Sequence, residues 1–230
     1  CTQSRRSVWV DPEKLQKPPG ASRSAWGIAN DALVLGSFGF LLPHKGVDNL
    51  IESIAPLALA SGRPVHLLAQ NAAPDAGSQA FLEACRQRAS TLGVDDRITW
   101  ITDYRPIDEC VELLTMADYV IFPYHGTRES ASGAVTIGLA AQRPVLVSPL
   151  PIFSDLAGCT WRMHGDGTEA IVEAVCTLEK DRAQVEAMRE RQHAWLAERD
   201  WARIAARLDA VIDGLLLDRA LDDAVALPRD

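Results

Sequence analysis

Residues 118–149 decide the fold of this chain, and they read DYVIFPYHGTRESASGAVTIGLAAQRPVLVSP. Two nearly continuous apolar runs, Tyr119–Phe122 and Val145–Ser148, have the composition of strands that are buried on both faces. Between them lie a polar loop that carries one acid, Glu129, and a run of small residues at Ser130–Ala134 that favours a helix start. The order strand, loop, helix, strand is one βαβ unit, which predicts a parallel sheet.

The same alternation of strand and helix extends through most of the chain. Three earlier apolar runs share the composition of buried strands: Leu33–Phe38, Val65–Ala69 and Ile98–Ile101. Apolar residues at helical spacing between these runs predict three helices. Gly62 is expected to end the first helix and Gly93 the second, and Pro56 is expected to kink the first. Pro106 is expected to lie at the start of the third. The sequence therefore predicts an α/β fold: a Rossmann-like three-layer αβα domain with a central parallel sheet and C-terminal helices.

Four segments are predicted along the chain. A polar, proline-rich stretch makes residues 1–25 a lead-in or an interdomain linker. Residues 26–180 form the Rossmann-like domain. Helical spacing continues over 181–218 with a break near Asp200, and these helices are expected to dock either on this domain or on a partner domain. Residues 219–230 are expected to be a flexible tail.

Composition excludes several classes of protein. The net charge of −8 argues against a general nucleic-acid binder, which carries a basic excess. The five cysteines lie far apart without a Cys-x-x-Cys pair, so we expect neither a disulfide framework nor a zinc site, but reduced thiols in the cytoplasm. With no apolar run of 18 residues, no membrane span is predicted.

Three loops leave the carboxyl ends of predicted strands, where open parallel sheets bind their ligands. In the first, Gly36–Gly46, Gly39 permits a positive φ or the close approach of a ligand. Lys45 stands immediately before a helix, where a cation and free backbone amides together attract a phosphate. The alternative is a solvated lysine in an ordinary loop, since the segment matches neither the Walker pattern nor a Gly-x-Gly-x-x-Gly fingerprint.

The second loop, Thr102–Pro106, follows the predicted strand Ile98–Ile101. Tyr104 or Arg105 would be able to stack on a nucleotide base there, while backbone groups contact its edge. Ordinary loop polarity, with Tyr104 covering the core, is the alternative that the local sequence leaves open.

The third loop places Glu129 beside a Ser/Gly-rich helix start, an arrangement that holds a polyol next to a phosphate. The alternative is an acid that only stabilises the helix dipole, by roughly 0.3–1 kcal/mol. Ser130 or Ser132 is expected to be the N-cap residue. His125 has no partner acid in its sequence neighbourhood and is interpreted as a polar loop residue, and no His, Asp and Glu set has the spacing of metal ligands.

Taken in order, these loops resemble the C-terminal, donor-binding domain of the family 4 (group 1) retaining glycosyltransferases, which have two Rossmann domains (the GT-B type). Four stretches carry the resemblance: LGSFGFLLPHKG at 35–46, LGVDDRITW at 92–100, MADYVIFP at 116–123, and Glu129 with GLAAQRPV at 138–145. Each stretch is moderately specific, and their order and spacing make the combination strong. With the helical pattern that follows, the resemblance covers roughly three quarters of the chain.

The resemblance implies a transferase that uses a nucleotide diphosphate sugar, UDP- or GDP-hexose, in polysaccharide or glycoconjugate synthesis. The hexose would pass with retained configuration to a glycan or lipid-linked acceptor, which an N-terminal domain absent from the present sequence would bind. This chain alone is expected to bind a donor without turnover. No obligatory metal or other cofactor is implied, and peripheral association with a membrane is left open.

The resemblance also implies roles for particular residues. Glu129 would hydrogen-bond the sugar hydroxyls and Lys45 would neutralise the diphosphate, which makes these two the predicted catalytic residues. The predicted donor-binding residues are Gly39, Tyr104, Arg105 and the backbone amides of Ser130, Ala131, Ser132 and Gly133.

Three positions depart from the family pattern. A second glutamate, which contacts the ribose, is replaced by Ile137, and an arginine five positions before the lysine is replaced by Phe40. Gln142 and Arg143 replace a step that usually contains glycine. Ile137 and Phe40 favour a rival interpretation, a non-catalytic glycosyltransferase-like module that has lost donor recognition, whereas Lys45 and Glu129 favour the enzyme. A third interpretation is a sugar-nucleotide epimerase with the same two-domain plan, and the loss of the ribose acid argues against it because that group also generally uses the acid.

Overall fold

The computed structural model describes residues 22–156, 158–199 and 201–225, with side chains described up to 216 except at 201. The apolar residues Val8–Val10, whose composition predicts a short strand, lie outside the described residues. Arg23, within the predicted lead-in, contacts the domain: its guanidinium pairs with Asp118 at 2.9 Å and donates to the carbonyl of Met116.

Six strands form one sheet in which all neighbouring pairs are parallel. They are β1 (Leu33–Phe40), β2 (Val65–Ala72), β3 (Ile98–Ile101), β4 (Tyr119–Phe122), β5 (Val145–Val147) and β6 (Trp161–Arg162). The order across the sheet is β3-β2-β1-β4-β5-β6, which is the doubly wound order of a Rossmann-like domain. The predicted fold class is confirmed.

The described part of the chain contains seven α-helices. They are α1 (Val47–Ser61), α2 (Ala76–Leu92), α3 (Ile107–Leu114), α4 (Gly133–Ala140), α5 (Thr168–Lys180), α6 (Arg182–Glu198) and α7 (Trp201–Val225). The predicted stop signals are confirmed, since Gly62 and Gly93 end α1 and α2 with φ of 68° and 65°. Pro106 stands directly before α3, as predicted.

The core has two halves because strand side chains alternate between the faces of the sheet. Odd-numbered residues of β1, such as Leu33 and Leu35, pack on one face with α1, α2 and α5. Val34 packs on the other face with α3 and α4. These layers confirm the predicted three-layer arrangement.

Strands β1 and β2 run past their predicted ends. They pair in continuous register from Leu33↔Val65 to Phe40↔Ala72, whereas β4 pairs with β1 only at Leu35 and Gly36. The sequence pattern ended β2 at Ala69 because polar residues follow, but Gln70 and Asn71 continue the ladder and are buried. Conversely, β5 ends one residue before the predicted Ser148.

The two C-terminal helices differ in their packing. Helix α6 docks on the domain, with Met188 in the core and Trp195 against its second half. Helix α7 instead exposes a stripe of apolar side chains: Leu208, Val211, Ile212, Leu215 and Leu216. It also continues to Val225, past the helix end predicted near Asp218, because the chain has no proline until Pro228. No described helix is long and apolar enough to cross a membrane.

Candidate functional site

Two loops meet where the strand order reverses, between β1 and β4, which is where such sheets bind ligands. The loop after β1 makes a short turn at Pro43–Lys45 and enters α1 through Gly46, whose φ is 71°. A Cβ atom on Gly46 would lie 2.1 Å from the carbonyl oxygen of Pro123 in the loop after β4. Only glycine permits this contact, so Gly46 allows the two loops to touch.

The contact brings together the two residues predicted to be catalytic. Nζ of Lys45 lies 3.0 Å from Oε2 of Glu129. The lysine side chain is only 12% exposed, whereas the glutamate side chain is 49% exposed. A nearly enclosed ammonium group therefore faces outward toward a carboxylate that solvent and ligands can reach.

Tyr124 lies under this ion pair, and the sequence interpretation missed its importance. Its ring centroid is 4.1 Å from Nζ of Lys45, and its hydroxyl is 3.2 Å from Oγ of Ser132. The residue is 1% exposed, and burial raises the pKa of its hydroxyl, which therefore stays protonated. The available signal was a tyrosine two residues after the end of a buried strand, at the carboxyl edge of the sheet.

Helix α4 begins beside Glu129, and Ser132 occupies its N-cap position. The prediction that Ser130 or Ser132 is the N-cap residue is confirmed, since Ser132 holds that position. The hydroxyl of Ser132, however, makes no capping bond to any described amide of the helix. Ser130, Ala131 and Gly133 are exposed, so the predicted donor-binding segment is accessible.

Gly39 is the second-last residue of β1, and its φ is 130°. This is the positive φ that the sequence analysis expected a glycine to permit here. A Cβ atom there would lie 3.4 Å from the Cβ of Ala134 in the first turn of α4. The end of β1 therefore lies directly against the start of α4, and Gly39 belongs to the same site.

A histidine on each loop adds titratable groups. The ring of His44 packs edge-on against Tyr124 with centroids 6.4 Å apart, and burial followed by the charge of Lys45 lowers its pKa. His44 is therefore neutral at pH 7 and adds no charge to the site. Its Nε2 atom finds no hydrogen-bond partner among the described residues.

His125 has partner acids that its sequence neighbourhood did not reveal. Its Nδ1 lies 3.1 Å from Oδ2 of Asp166, and its Nε2 lies 3.9 Å from Oδ1 of Asp48. Its backbone amide donates to the carbonyl of His44 at 2.9 Å. His125 therefore links the loop after β4 to the loop after β1 and to the segment before α5. It remains a polar loop residue, but the statement that it lacks a partner acid was wrong.

The predicted base-contacting residues lie in the loop after β3, at the edge of the sheet. Tyr104 is 79% exposed and does not cover the core. Arg105 lies within ion-pair distance of Asp103 and Glu109, and its guanidinium is 5.9 Å from the ring of Trp26. None of these contacts of Arg105 joins it to Lys45 and Glu129, so the structure leaves the predicted base contact as a prediction.

The three departures from the family pattern have distinct structural settings. Ile137, at the position of the ribose-contacting glutamate, is 2% exposed and packs in the core behind α4. Phe40, at the position of the arginine, is 50% exposed at the tip of β1. Gln142 has φ of 54°, the left-handed conformation that explains why glycine is usual near this position.

The described residues contain no group of three or more His, Cys, Asp and Glu side chains that is arranged to hold a metal ion. The four described cysteines are free thiols, and three of them are buried.

No sequence-family profile matches the chain, and no curated protein matches it by sequence. Solved structures match it by fold. A glycosyltransferase from Rickettsia africae superposes with a TM-score of 0.71 at 12% identity, over 91% of this chain and 56% of that one. HepE from Anabaena, in complex with UDP and glucose, gives a TM-score of 0.71 at 19% identity over 88% of this chain and 55% of its own.

A third match is a single domain. The C-terminal domain of the group 1 glycosyltransferase LpcC from Francisella tularensis gives a TM-score of 0.62 at 14% identity, over 82% of this chain and 96% of that domain. The present chain thus spans about half the length of the two longer structures, 55–56%, and nearly all of the isolated domain. Its fold is the Rossmann-like domain fold that these glycosyltransferases share.

Proposed function

We propose that this chain is the donor-binding half of a glycosyltransferase that uses a nucleotide diphosphate sugar, UDP- or GDP-hexose, and transfers the hexose with retained configuration. The observation that carries the proposal is the meeting of Lys45 and Glu129, 3.0 Å apart, beside the start of α4 at the switch point of the sheet. HepE, which shares the fold, has been crystallised with UDP and with UDP-glucose.

The positive groups of the candidate site would assist cleavage of the bond between the sugar and the diphosphate. When the bond between the anomeric carbon and a diphosphate oxygen breaks, the departing nucleotide diphosphate gains negative charge. Lys45 and the first amides of α4 are oriented positive groups that stabilise it, so the proposal requires no metal. The anomeric carbon forms its new bond to an acceptor hydroxyl oxygen, whose proton passes to the diphosphate or to water.

Glu129 is assigned to the sugar because a carboxylate accepts hydrogen bonds from hydroxyl groups. Its pairing with Lys45 does not prevent this role. An ion pair with a half-exposed partner stabilises by only roughly 0–1 kcal/mol. A bound diphosphate, with more negative charge, would therefore replace Glu129 as the partner of Lys45 and release the carboxylate for the sugar.

Two observations support a second domain. The chain spans 55–56% of the longer glycosyltransferases that it matches. Helix α7 exposes an apolar stripe, from Leu208 to Leu216, that nothing in the described residues covers. We assign this stripe to contact with an acceptor-binding domain, in whose absence the chain would bind a donor without transferring its sugar to an acceptor.

A non-catalytic module is the second candidate, and one observation favours it. Ile137 is buried behind α4 and offers no hydrogen-bonding group to a ribose, while Phe40 brings no charge to the diphosphate. A domain that has lost both family contacts would keep the fold and bind no donor.

A thermal-shift panel of UDP, GDP, dTDP and their hexose conjugates separates the two candidates. A ligand at a hundredfold its dissociation constant stabilises the folded chain by about 2.7 kcal/mol. We expect one nucleotide to stabilise the wild type, Lys45→Ala to reduce that stabilisation by about half or more, and Glu129→Ala to remove only the contribution of the sugar. No stabilisation by any nucleotide would contradict the donor-binding function and favour the non-catalytic module.

A further inference from the structure

Tyr124 is buried, and it contacts both Lys45 and Ser132, the residue directly before α4. Its ring packs against Phe122 and Phe153, with centroids 5.9 and 5.2 Å away. We propose that Tyr124 is a positioning residue of the donor site, whose ring holds the ammonium group of Lys45 and whose hydroxyl keeps Ser132 from capping α4. This inference rests on the proposed function, since it concerns how the same site is prepared for a phosphate.

The ring is a second neighbour of the Lys45 ammonium group, besides Glu129. Nζ lies 4.1 Å from the ring centroid of Tyr124, within the range of a cation–π contact. The contact is shielded from water, because the lysine side chain is 12% exposed and Tyr124 is fully buried. When a ligand displaces Glu129, the ring stays in place, so Lys45 remains aimed at the ligand.

The hydroxyl acts on the start of α4. Ser132 occupies the N-cap position with an extended backbone, φ −117° and ψ 108°, and its side chain would ordinarily accept a bond from the amide of Ala134 or Val135. Its Oγ atom is instead 3.2 Å from the hydroxyl of Tyr124 and makes no capping bond. The first amides of α4 therefore stay available to an anion rather than to the serine of their own chain.

The position of Tyr124 is itself fixed. Its carbonyl oxygen accepts a hydrogen bond of 2.7 Å from Oγ of the buried Ser148, at the end of β5. The hydrogen bond from Ser148 holds the backbone of Tyr124, and the rings of Phe122 and Phe153 hold its side chain. Tyr124 therefore stays in place when Lys45 or Ser132 moves. One residue thus sets the geometry of the cation and of the helix amides together.

The test combines four variants, a packing control and two measurements. Tyr124→Phe keeps the ring and removes the hydroxyl, and Tyr124→Leu removes both. Ser132→Ala, alone and together with Tyr124→Phe, removes the group that would cap. Phe153→Leu is the packing control, since it removes a ring from the same cluster but none from under Lys45. Affinity for UDP is measured by calorimetry, and hydrogen exchange at the amides of Ala134 and Val135 is measured without ligand.

We expect Tyr124→Phe to slow exchange at one of these amides and to weaken UDP binding about fivefold, the typical effect of one N-cap bond. The double variant should exchange fast again and bind UDP as well as Ser132→Ala alone. Tyr124→Leu should weaken binding more than either Tyr124→Phe or Phe153→Leu.

The outcomes separate this inference from the proposed function. UDP binding that is the same in wild type and Tyr124→Phe, or a further loss in the double variant, would overturn the positioning role and leave the proposed function standing. Absence of UDP binding by the wild type would overturn the proposed function and this inference with it.

Discussion

Lys45 and Glu129 stand 84 positions apart in the sequence, and their side chains meet at 3.0 Å across the carboxyl edge of the sheet. The pair joins the loop after β1 to the loop after β4. Each charge is the nearest partner of the other, so a ligand that takes one partner releases the other. Under the proposed function, Lys45 would strengthen nucleotide binding, whereas Glu129 would compete with the nucleotide for Lys45 and strengthen binding of the sugar.

Glu129→Gln is expected to separate these effects. UDP should bind as tightly as to the wild type or up to about fivefold more tightly, because Lys45 loses a competing ion pair worth at most about 1 kcal/mol. UDP-hexose should lose the additional affinity that its sugar provides. Calorimetric titration of both ligands measures the two effects.

Lys45→Ala is expected to weaken UDP binding at least tenfold, because a charge-assisted contact to phosphate is lost (about 1.5–3 kcal/mol). Lys180→Ala, on the exposed side of α5, is the matched control and should leave the affinity unchanged. If Glu129→Gln weakened UDP binding as much as Lys45→Ala, the exchange of partners would be refuted.

Gly46→Ala is expected to lower the free energy of unfolding by more than about 2 kcal/mol, because a left-handed backbone is combined with a 2.1 Å approach to the Pro123 carbonyl. Gly62→Ala is the control: its φ of 68° is similar, but no atom lies within 4 Å, so a loss of about 1 kcal/mol is expected. Urea denaturation measures both, and equal losses would show that the contact between the loops is unimportant.

Ile137→Glu places at the family position the acid that this chain lacks, but we expect no gain of binding. The side chain would enter the apolar core behind α4, where an unpaired carboxylate costs several kcal/mol. The variant should unfold at a markedly lower urea concentration. A variant that is as stable as the wild type and binds UDP more tightly would show that position 137 faces the ligand after all.

Folding stability should fall between pH 7.5 and pH 5.5. Burial lowers the pKa of both His44 and His66 below the ordinary value of 6.5. Below pH 6.5 the unfolded chain therefore binds more protons than the folded chain, and acid favours unfolding. Urea denaturation at the two pH values measures the difference, which His66→Gln should reduce, and a stability that rises on acidification would contradict this assignment.

The fold class could be predicted from the sequence because the patterns of strands and helices lie within short segments of the chain. The runs Ile98–Ile101 and Tyr119–Phe122 match β3 and β4 at both ends. All four residues of β4 are buried and apolar or aromatic, as is typical of a strand covered on both faces, whereas the edge strand β3 is only partly buried. Helix α5 was not predicted, although its buried residues Ile171, Val175 and Leu178 have helical spacing. Strand β6, with two residues, is too short to give a pattern.

The site was only partly predictable. Lys45 and Glu129 stood out as charges in loops at strand ends, and the parallel topology brings those ends together. Tyr124 and His125 act through contacts with distant segments, such as the 41 positions between His125 and Asp166, and no local pattern encodes those contacts. The same holds for Gly46, whose need for glycine comes from the carbonyl of Pro123.

NMR of the chain with lysine ¹³C-labelled at Cε shows directly whether Lys45 binds the diphosphate. The sequence has only four lysines, Lys14, Lys17, Lys45 and Lys180, so the spectrum contains four side-chain signals and three internal controls. On titration with UDP we predict a saturable shift of one signal, which is absent from the spectrum of Lys45→Arg, while the other three stay in place. A Lys45 signal that does not move while UDP binds, or four signals that move together, would contradict the account.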